Sequence, residues 1–142
     1  HLRWDSLGEF LALAVSLEEF ANKQGNQKAK VLSSCLDQAT EKLLNNGKSP
    51  LRKAGQLDNR GSHFYLAMFW AEALANQTKD AALADQFTPL YAVLNENEDK
   101  ILKEIDATQC QALDIGGYYM PEDDKASKAM CPSDTLNGAL AL

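Results

Sequence analysis

Apolar residues recur at helical spacing through the first third of the chain. The first apolar stripe consists of Phe10, Leu13, Ala14, Leu17 and Ala21. It predicts a helix over residues 7–23 with one buried face, ended by Gly25, because glycine tolerates a left-handed cap. The second stripe consists of Leu32, Cys35, Leu36, Ala39 and Leu43. It predicts a helix over residues 27–44, which the Asn45-Asn46-Gly47 run should stop.

A third helix is predicted over residues 60–77, after a break at Ser49-Pro50. Residues 64–71 leave this helix almost no polar face. Helices that are apolar all round are buried on all sides, which is demanding for a helical chain of 142 residues. We therefore expect one face of this helix to pack against something outside the chain.

The second half of the chain has weaker helical patterns. A fourth helical region opens near Asp80, and at Thr88-Pro89 it either restarts or continues with a kink before running to about residue 107. Residues 113–121 are predicted to be extended with a glycine bend, and a short strand near Ile115 is the open alternative. Short helices are expected over 124–130 and over 134–140, the last capped by Ser133.

The predicted fold class is mainly α, with about five helices packed in layers and at most one short strand. Residues 1–142 form a single helical unit, since the sequence has no internal repeat, low-complexity linker or domain boundary.

The start of the chain allows two interpretations. In the first, Ser6 caps the first helix with its hydroxyl and Glu9 reaches back to the cap's own N–H. In the second, Arg3 and Asp5 lie just outside a helix N-terminus, where an arginine and free backbone donors form an anion site. Two interpretations also apply to the cluster of Lys48, Arg52 and Lys53. It is either a solvated basic loop or a patch that binds an anionic ligand.

Composition narrows the class of protein. The formal net charge is −6 and the pI about 4.8, so a nucleic acid or an anionic membrane would be repelled on average. No apolar run is long enough to span a bilayer. The chain begins with His1 rather than Met and lacks a leader pattern, so we expect it to begin inside a gene product or after processing.

Cysteine and histidine usage points to structural roles. Cys35, Cys110 and Cys131 lack disulfide or zinc spacing, so we expect three reduced thiols in a cytoplasmic protein. Cys35 should be a small buried hydrophobe rather than a nucleophile. His63 has no partner at metal-ligand spacing, which favours a hydrogen-bonded structural histidine. The acidic residues of 96–104 are best interpreted as a solvated face. No nucleophile elbow, metalloprotease or Walker motif is present, and the Gly116-Gly117 stretch lacks the spacing of a phosphate loop.

Four stretches together carry a family resemblance: residues 1–10 (HLRWDSLGEF), 48–53 (KSPLRK), 57–65 (LDNRGSHFY) and 114–119 (DIGGYY). In order and spacing they resemble the C-terminal portion of monomeric-type NADP-dependent isocitrate dehydrogenase, over essentially the whole chain. The family enzyme is several times longer, so the resemblance implies a fragment, the helical end of a larger α/β domain. Cys131 departs from it, because a basic residue is expected there.

The resemblance implies an enzyme that oxidises isocitrate to 2-oxoglutarate and CO2 with NADP and Mg²⁺ or Mn²⁺, in the tricarboxylic acid cycle and glyoxylate bypass. It assigns no catalytic and no metal-binding residue to this segment, since those lie upstream. Arg3, Trp4, Asp5 and Arg52 match part of the family's NADP site. Arg3 and Arg52 are expected to converge on the 2′-phosphate, because a guanidinium presents a charged fork of donors. The isolated segment should bind NADP weakly and be inactive.

Two other classes of function stay open at this point. The chain could be a free-standing helical interaction module that docks through its aromatic third helix, or a helical ligand carrier. The length of the open reading frame discriminates between them and the dehydrogenase. The family enzyme works as a monomer, whereas exposed apolar surface would let a truncated piece self-associate.

Overall fold

Helices account for most of the chain in the computed structural model, which describes residues 1–141. They are α1 (Leu7–Gln24), α2 (Gln27–Asn45), α3 (Asn59–Asn76), α4 (Ala81–Glu96), α5 (Glu98–Asp106), α6 (Asp123–Met130) and α7 (Asp134–Leu140). The mainly α prediction is confirmed, with seven helices rather than about five and no strand within residues 1–141.

The first four helices form successive layers: α1 packs on α2, α2 on α3, and α3 on α4. Helices α5 and α7 contact each other, and α7 also packs on α4. Because α1 contacts α2 along one side, part of its predicted apolar stripe stays in solvent. Phe10, Ala14 and Ala21 are buried, whereas Leu13 is 45% exposed. The assignment of Leu13 to the buried face was therefore wrong.

Helix α3 lies at the centre of the core. Phe64, Tyr65 and Phe69 are all buried within the chain itself, in a cluster with α2, α4 and α5. The half-buried Trp70 donates its indole N–H to the Leu32 carbonyl over 3.1 Å. The expectation that a face of this helix needs material outside the chain is wrong for these aromatics, because the flanking helices already cover them.

The helix ends confirm some local predictions and correct another. Gly25 ends α1 with a φ of 62°, and Ser133 caps α7 by accepting from the Leu136 amide over 3.0 Å. The capping box at α1 is wrong, since Ser6 makes no side-chain cap bond. Its hydroxyl instead accepts from the Asn59 side chain, a tertiary contact that competes with the local one.

Three further predictions can be judged from the structure. Pro89 lies inside a continuous α4, so the helix does not restart there. His63 is structural, with Nδ1 2.9 Å from the Asn59 carbonyl and its ring edge-on to Phe10. Cys35 is buried, and this burial raises the pKa of its thiol, as suits an inert core residue.

No helix among residues 1–141 has the combined length and apolar character needed to cross a lipid bilayer.

A buried ion pair joins Asp58 to Arg60 at the start of α3. The Arg60 Nε and Nη2 atoms donate to Asp58 Oδ2 over 3.0 and 2.8 Å. Arg60 Nη1 donates to the Thr108 hydroxyl over 2.8 Å and to the Ala129 carbonyl over 2.9 Å. One guanidinium therefore ties the beginning of α3 to the ends of α5 and α6.

Replacing the arginine tests this anchor. We expect Arg60→Met to lower the free energy of unfolding by about 3–5 kcal/mol, because it leaves a buried carboxylate without its partner. Urea unfolding at neutral pH measures the change. Lys23→Met is the matched control, since the Lys23–Glu19 pair is exposed and should contribute less than about 1 kcal/mol. Equal effects of the two substitutions would show that the buried pair is no anchor.

Helix α7 is held at its start by Glu104. The Ser133 and Thr135 hydroxyls donate to its carboxylate over 2.6 and 2.8 Å, and the Thr135 amide donates over 3.2 Å. These bonds, that of Ser133 first, lower the pKa of Glu104. The stabilisation is therefore present above the pKa of the unfolded chain, about 4.3. It is lost as the pH falls through the lower folded pKa.

We accordingly expect Glu104→Gln to lower the Tm at pH 7, and we expect this deficit to shrink as the pH falls below about 4.3, the pKa of the unfolded carboxyl. Thermal unfolding followed by circular dichroism between pH 3 and pH 7 gives both curves. Glu41→Gln, at an exposed position on α2, should leave the Tm curve unchanged. A Glu104→Gln deficit of equal size at every pH would contradict the carboxylate's role.

Candidate functional site

The segment of residues 1–6 lies against the start of α3 through one asparagine. The Asn59 amide donates to the Leu2 carbonyl over 2.8 Å. Its side-chain Nδ2 donates to the Trp4 carbonyl over 2.6 Å and to the Ser6 hydroxyl over 3.0 Å. Asn59 thereby fixes the backbone on both sides of Arg3.

The same segment reaches the basic loop, which we define as residues 48–57. The His1 Nε2 atom lies 2.8 Å from the Leu51 carbonyl, and Leu51 directly precedes Arg52. The Leu51 amide donates across the loop to the Leu57 carbonyl over 2.8 Å, which closes it. The structure thus brings into contact the two segments that carry Arg3 and Arg52.

Gln109, which follows the end of α5, joins the segment of residues 1–6 to the basic loop through hydrogen bonds of its side chain. Its Oε1 accepts from the Gly55 amide over 2.7 Å and lies 3.0 Å from His1 Nδ1. Its Nε2 donates to the Gln56 carbonyl over 2.9 Å and to Asp106 Oδ1 over 3.1 Å. A single buried side chain therefore links the first residue, the basic loop and α5.

The four predicted cofactor-binding residues all lie at the surface. Trp4 is 67% exposed, and its indole N–H donates to Glu9 over 3.1 Å, while its carbonyl is held by Asn59. Asp5 uses Oδ1 to accept from the Leu7 amide over 3.1 Å, so one carboxylate oxygen supports the start of α1.

The cations at this surface differ in their partners. Within residues 1–141, Arg3, Arg52 and Lys53 have no carboxylate within 4 Å. Lys48 is engaged differently, with its ammonium 4.2 Å from the centre of the Tyr65 ring. In a chain of net charge −6, these three exposed side chains keep a positive charge with which an anion can pair.

Two acidic residues lie next to this junction: Asp106, which contacts Gln109, and Asp58, which contacts Arg60. Burial raises the pKa of Asp106, and the negative charge of Asp58 raises it further. Gln109 and Arg60 partly offset this increase. Asp58 itself is fully buried in its pair with Arg60, so its charge is matched inside the protein.

An apolar cavity beside α3 lies away from the predicted cofactor-binding residues. Its volume is about 390 Å³, and Phe64, Ile105, Pro132 and Leu136 are among its lining residues. None of the four predicted cofactor-binding residues lines it.

A metal site is absent from the part of the chain that the structure describes: no group of three or more His, Cys, Asp or Glu side chains is placed to hold an ion. The exposed side chains of Arg3, Arg52 and Lys53 are instead suited to binding an anion.

Sequence reasoning missed the residues that build the junction. Asn59 lies inside the 57–65 stretch that carries the family resemblance, but the sequence assigned it no role of its own. Gln109 gave no signal, because a single glutamine after a helix has no pattern. Both act through long-range hydrogen bonds that sequence spacing does not reveal.

Comparison with known proteins places the chain in a family. Residues 1–141 match the family model described as monomeric isocitrate dehydrogenase, and the chain belongs to this family. It is 60% identical over 141 residues to the protein named isocitrate dehydrogenase [NADP] of Azotobacter vinelandii. It is 56% identical over 140 residues to isocitrate dehydrogenase [NADP] 2 of Mycobacterium tuberculosis, and 55% over 141 residues to that of Colwellia maris.

Each of these alignments covers 99% of this chain but only 19% of the relative. The chain thus spans about a fifth of the length of the curated relatives that it matches.

Gln109 gives a direct test of the junction. We expect Gln109→Ala to speed amide exchange at Gly55 by about tenfold or more, because the buried acceptor of that N–H is removed. Hydrogen exchange followed by NMR measures this rate. The Asn26 amide, which donates to the Ala21 carbonyl at the end of α1 and makes no contact with Gln109, is the internal control. Unchanged exchange at Gly55 would show that Gln109 does not hold the loop.

Proposed function

We propose that this chain is the C-terminal segment of an NADP-dependent isocitrate dehydrogenase and that it supplies the arginines that bind the 2′-phosphate of NADP. The full-length enzyme converts isocitrate and NADP to 2-oxoglutarate, CO2 and NADPH. The family membership and the names of the relatives support this activity.

The contact between the two arginine-bearing segments is the observation that carries the proposal. His1 bonds to the carbonyl next to Arg52, and Asn59 holds the backbone on either side of Arg3. The two residues are far apart in the sequence but lie on segments that touch, and neither has a carboxylate within 4 Å among residues 1–141. A phosphate that accepts from both guanidinium groups would supply the missing negative charge.

Asp5 and Trp4 have supporting roles in this proposal. The second carboxylate oxygen of Asp5 accepts from a ribose or adenine donor, or orients an arginine, while the first stays on the Leu7 amide. Trp4 contributes its backbone, because its carbonyl is already fixed by Asn59. The exposed Trp4 ring makes a second contribution by packing against the cofactor or against the rest of the enzyme.

The remaining parts of the enzyme lie outside this segment in our proposal. Mg²⁺ or Mn²⁺ is held by residues upstream, as are isocitrate and the acid–base groups, so the segment alone is inactive. We place the full-length enzyme in the cytoplasm as a single-chain protein. The competing interaction module loses its docking surface, because the aromatic residues of α3 are buried in this chain's own core.

The preference for NADP over NAD tests the arginine assignment in the full-length enzyme. We expect Arg3→Ala and Arg52→Ala each to lower kcat/KM for NADP by about 10- to 150-fold, since a charge-assisted bond contributes about 1.5–3 kcal/mol. The value for NAD should change little, because NAD lacks the 2′-phosphate.

Lys28→Ala is the matched control, an exposed cation on α2 that lies outside both arginine-bearing segments. It should leave the NADP/NAD ratio nearly unchanged. If Arg3→Ala and Arg52→Ala lowered the two cofactors' kcat/KM equally, the 2′-phosphate assignment would be wrong, although the dehydrogenase assignment would stand.

A further inference from the structure

The proposed function leaves the Gly116-Gly117-Tyr118-Tyr119 stretch without a role. These residues belong to what we call the aromatic loop, residues 114–122. The loop is closed by the Glu122 amide, which donates to the Ile115 carbonyl over 2.8 Å. It therefore leaves and re-enters the molecule at nearly the same point.

The base of the aromatic loop is held by polar contacts. The Gly116 amide donates to Asp114 Oδ1 over 2.9 Å. Lys125, on α6, donates to Asp114 over 2.9 Å and to Glu122 over 3.1 Å, so it joins the two ends of the loop. These contacts give the loop a defined shape before it meets any partner.

The shape of the loop requires a glycine at position 116 and favours a small residue at position 117. Gly116 has a φ of +84°, which other residues rarely adopt, and a Cβ there would lie 2.5 Å from Glu122 Cγ. A Cβ on Gly117 would lie 3.1 Å from the Met120 carbonyl oxygen. The sequence thus specifies a tight bend directly before the tip.

The tip presents three consecutive large side chains to solvent. Tyr118, Tyr119 and Met120 are 87%, 92% and 87% exposed. The centroids of the two tyrosine rings lie 5.0 Å apart and the rings meet edge-on, so they form one aromatic cluster. A pre-shaped loop that ends in an exposed aromatic cluster is typical of a contact site rather than of a solvated turn.

We propose that this tip, residues 118–120, docks into an apolar recess of the remaining part of the full-length polypeptide. This inference rests on the proposed function: the curated relatives are about five times longer than this chain, and on that proposal most of the polypeptide lies outside the structure. The intramolecular contact needs no loss of translational freedom at association, so a small apolar area suffices to hold it.

The area at the tip argues against a second copy as the occupant. An aromatic side chain buries about 150–250 Å², so two tyrosines and a methionine from each of two copies supply roughly 1,000 Å². Stable interfaces between proteins bury about 1,200–2,000 Å². Docking within one polypeptide therefore fits the size of this surface better than dimerisation does.

Methionine oxidation tests the proposal in the full-length protein without any substitution. Hydrogen peroxide converts exposed methionine to its sulfoxide, with water as the other product, and peptide mass spectrometry gives the rate at each site. Met68, buried in the core, and Met130, about half exposed, are internal references. We expect Met120 to be oxidised about tenfold more slowly than in the unfolded protein, at every protein concentration and without NADP.

The other outcomes each overturn the proposal. Oxidation of Met120 at the unfolded rate means that the tip stays in solvent. Protection that grows with protein concentration identifies a second copy as the occupant, and protection only with NADP identifies the cofactor. Because the expected protection needs no cofactor, its failure is distinct from a failure of the arginine assignment.

A pair of double variants gives an independent readout. Tyr118→Ser with Tyr119→Ser should lower the Tm of the full-length protein by several degrees and should unmask Met120 to peroxide. Tyr118→Phe with Tyr119→Phe keeps the rings and should preserve both properties. Equal behaviour of the two double variants would contradict docking by the aromatic rings.

Discussion

The buried pair of Asp58 and Arg60 is the contact on which the remaining architecture depends. Asp58 accepts from both the side chain of Arg60 and the amides of Arg60 and Gly61, so it caps α3 and neutralises the guanidinium at once. The remaining guanidinium nitrogen, Nη1, donates to the Thr108 hydroxyl and to the Ala129 carbonyl. A buried pair adds little net stability, but it accepts only one arrangement of its neighbours. It thereby fixes where α5 and α6 end relative to α3.

The candidate site follows from that arrangement. With the end of α5 fixed, Gln109 comes under the basic loop and reaches Gly55 and His1. With the start of α3 fixed, Asn59 points at the backbone around Trp4 and Ser6. The contact between the two arginine-bearing segments is therefore a consequence of polar contacts made by Asn59 and Gln109, rather than of any contact between the arginines themselves.

The helices could be predicted from the sequence because their signals are local. The spacing of Leu36, Ala39 and Leu43 and the Gly25 cap act within a few residues, and the structure agrees with both. Predictions failed where a distant residue competed for the same group. Ser6 could have capped α1, but its hydroxyl bonds to Asn59 across the fold. Gln109 illustrates the same limit, since its four contacts connect residues that no sequence pattern links.

The polar and apolar groups in the interior of this chain are paired or packed, whereas some of those on its surface are not. Within residues 1–141 every buried side-chain nitrogen or oxygen has a hydrogen-bond partner, and the aromatic helix α3 is covered. The outside instead keeps cations without acids at Arg3 and Arg52 and a bare aromatic tip on residues 118–120. A core that is satisfied on its own and a surface that is not are expected of a segment that folds as a unit inside a larger enzyme. Charge would then be completed by an anionic ligand, and apolar surface by the rest of the polypeptide, because each kind of surface is stabilised only by its own kind of partner.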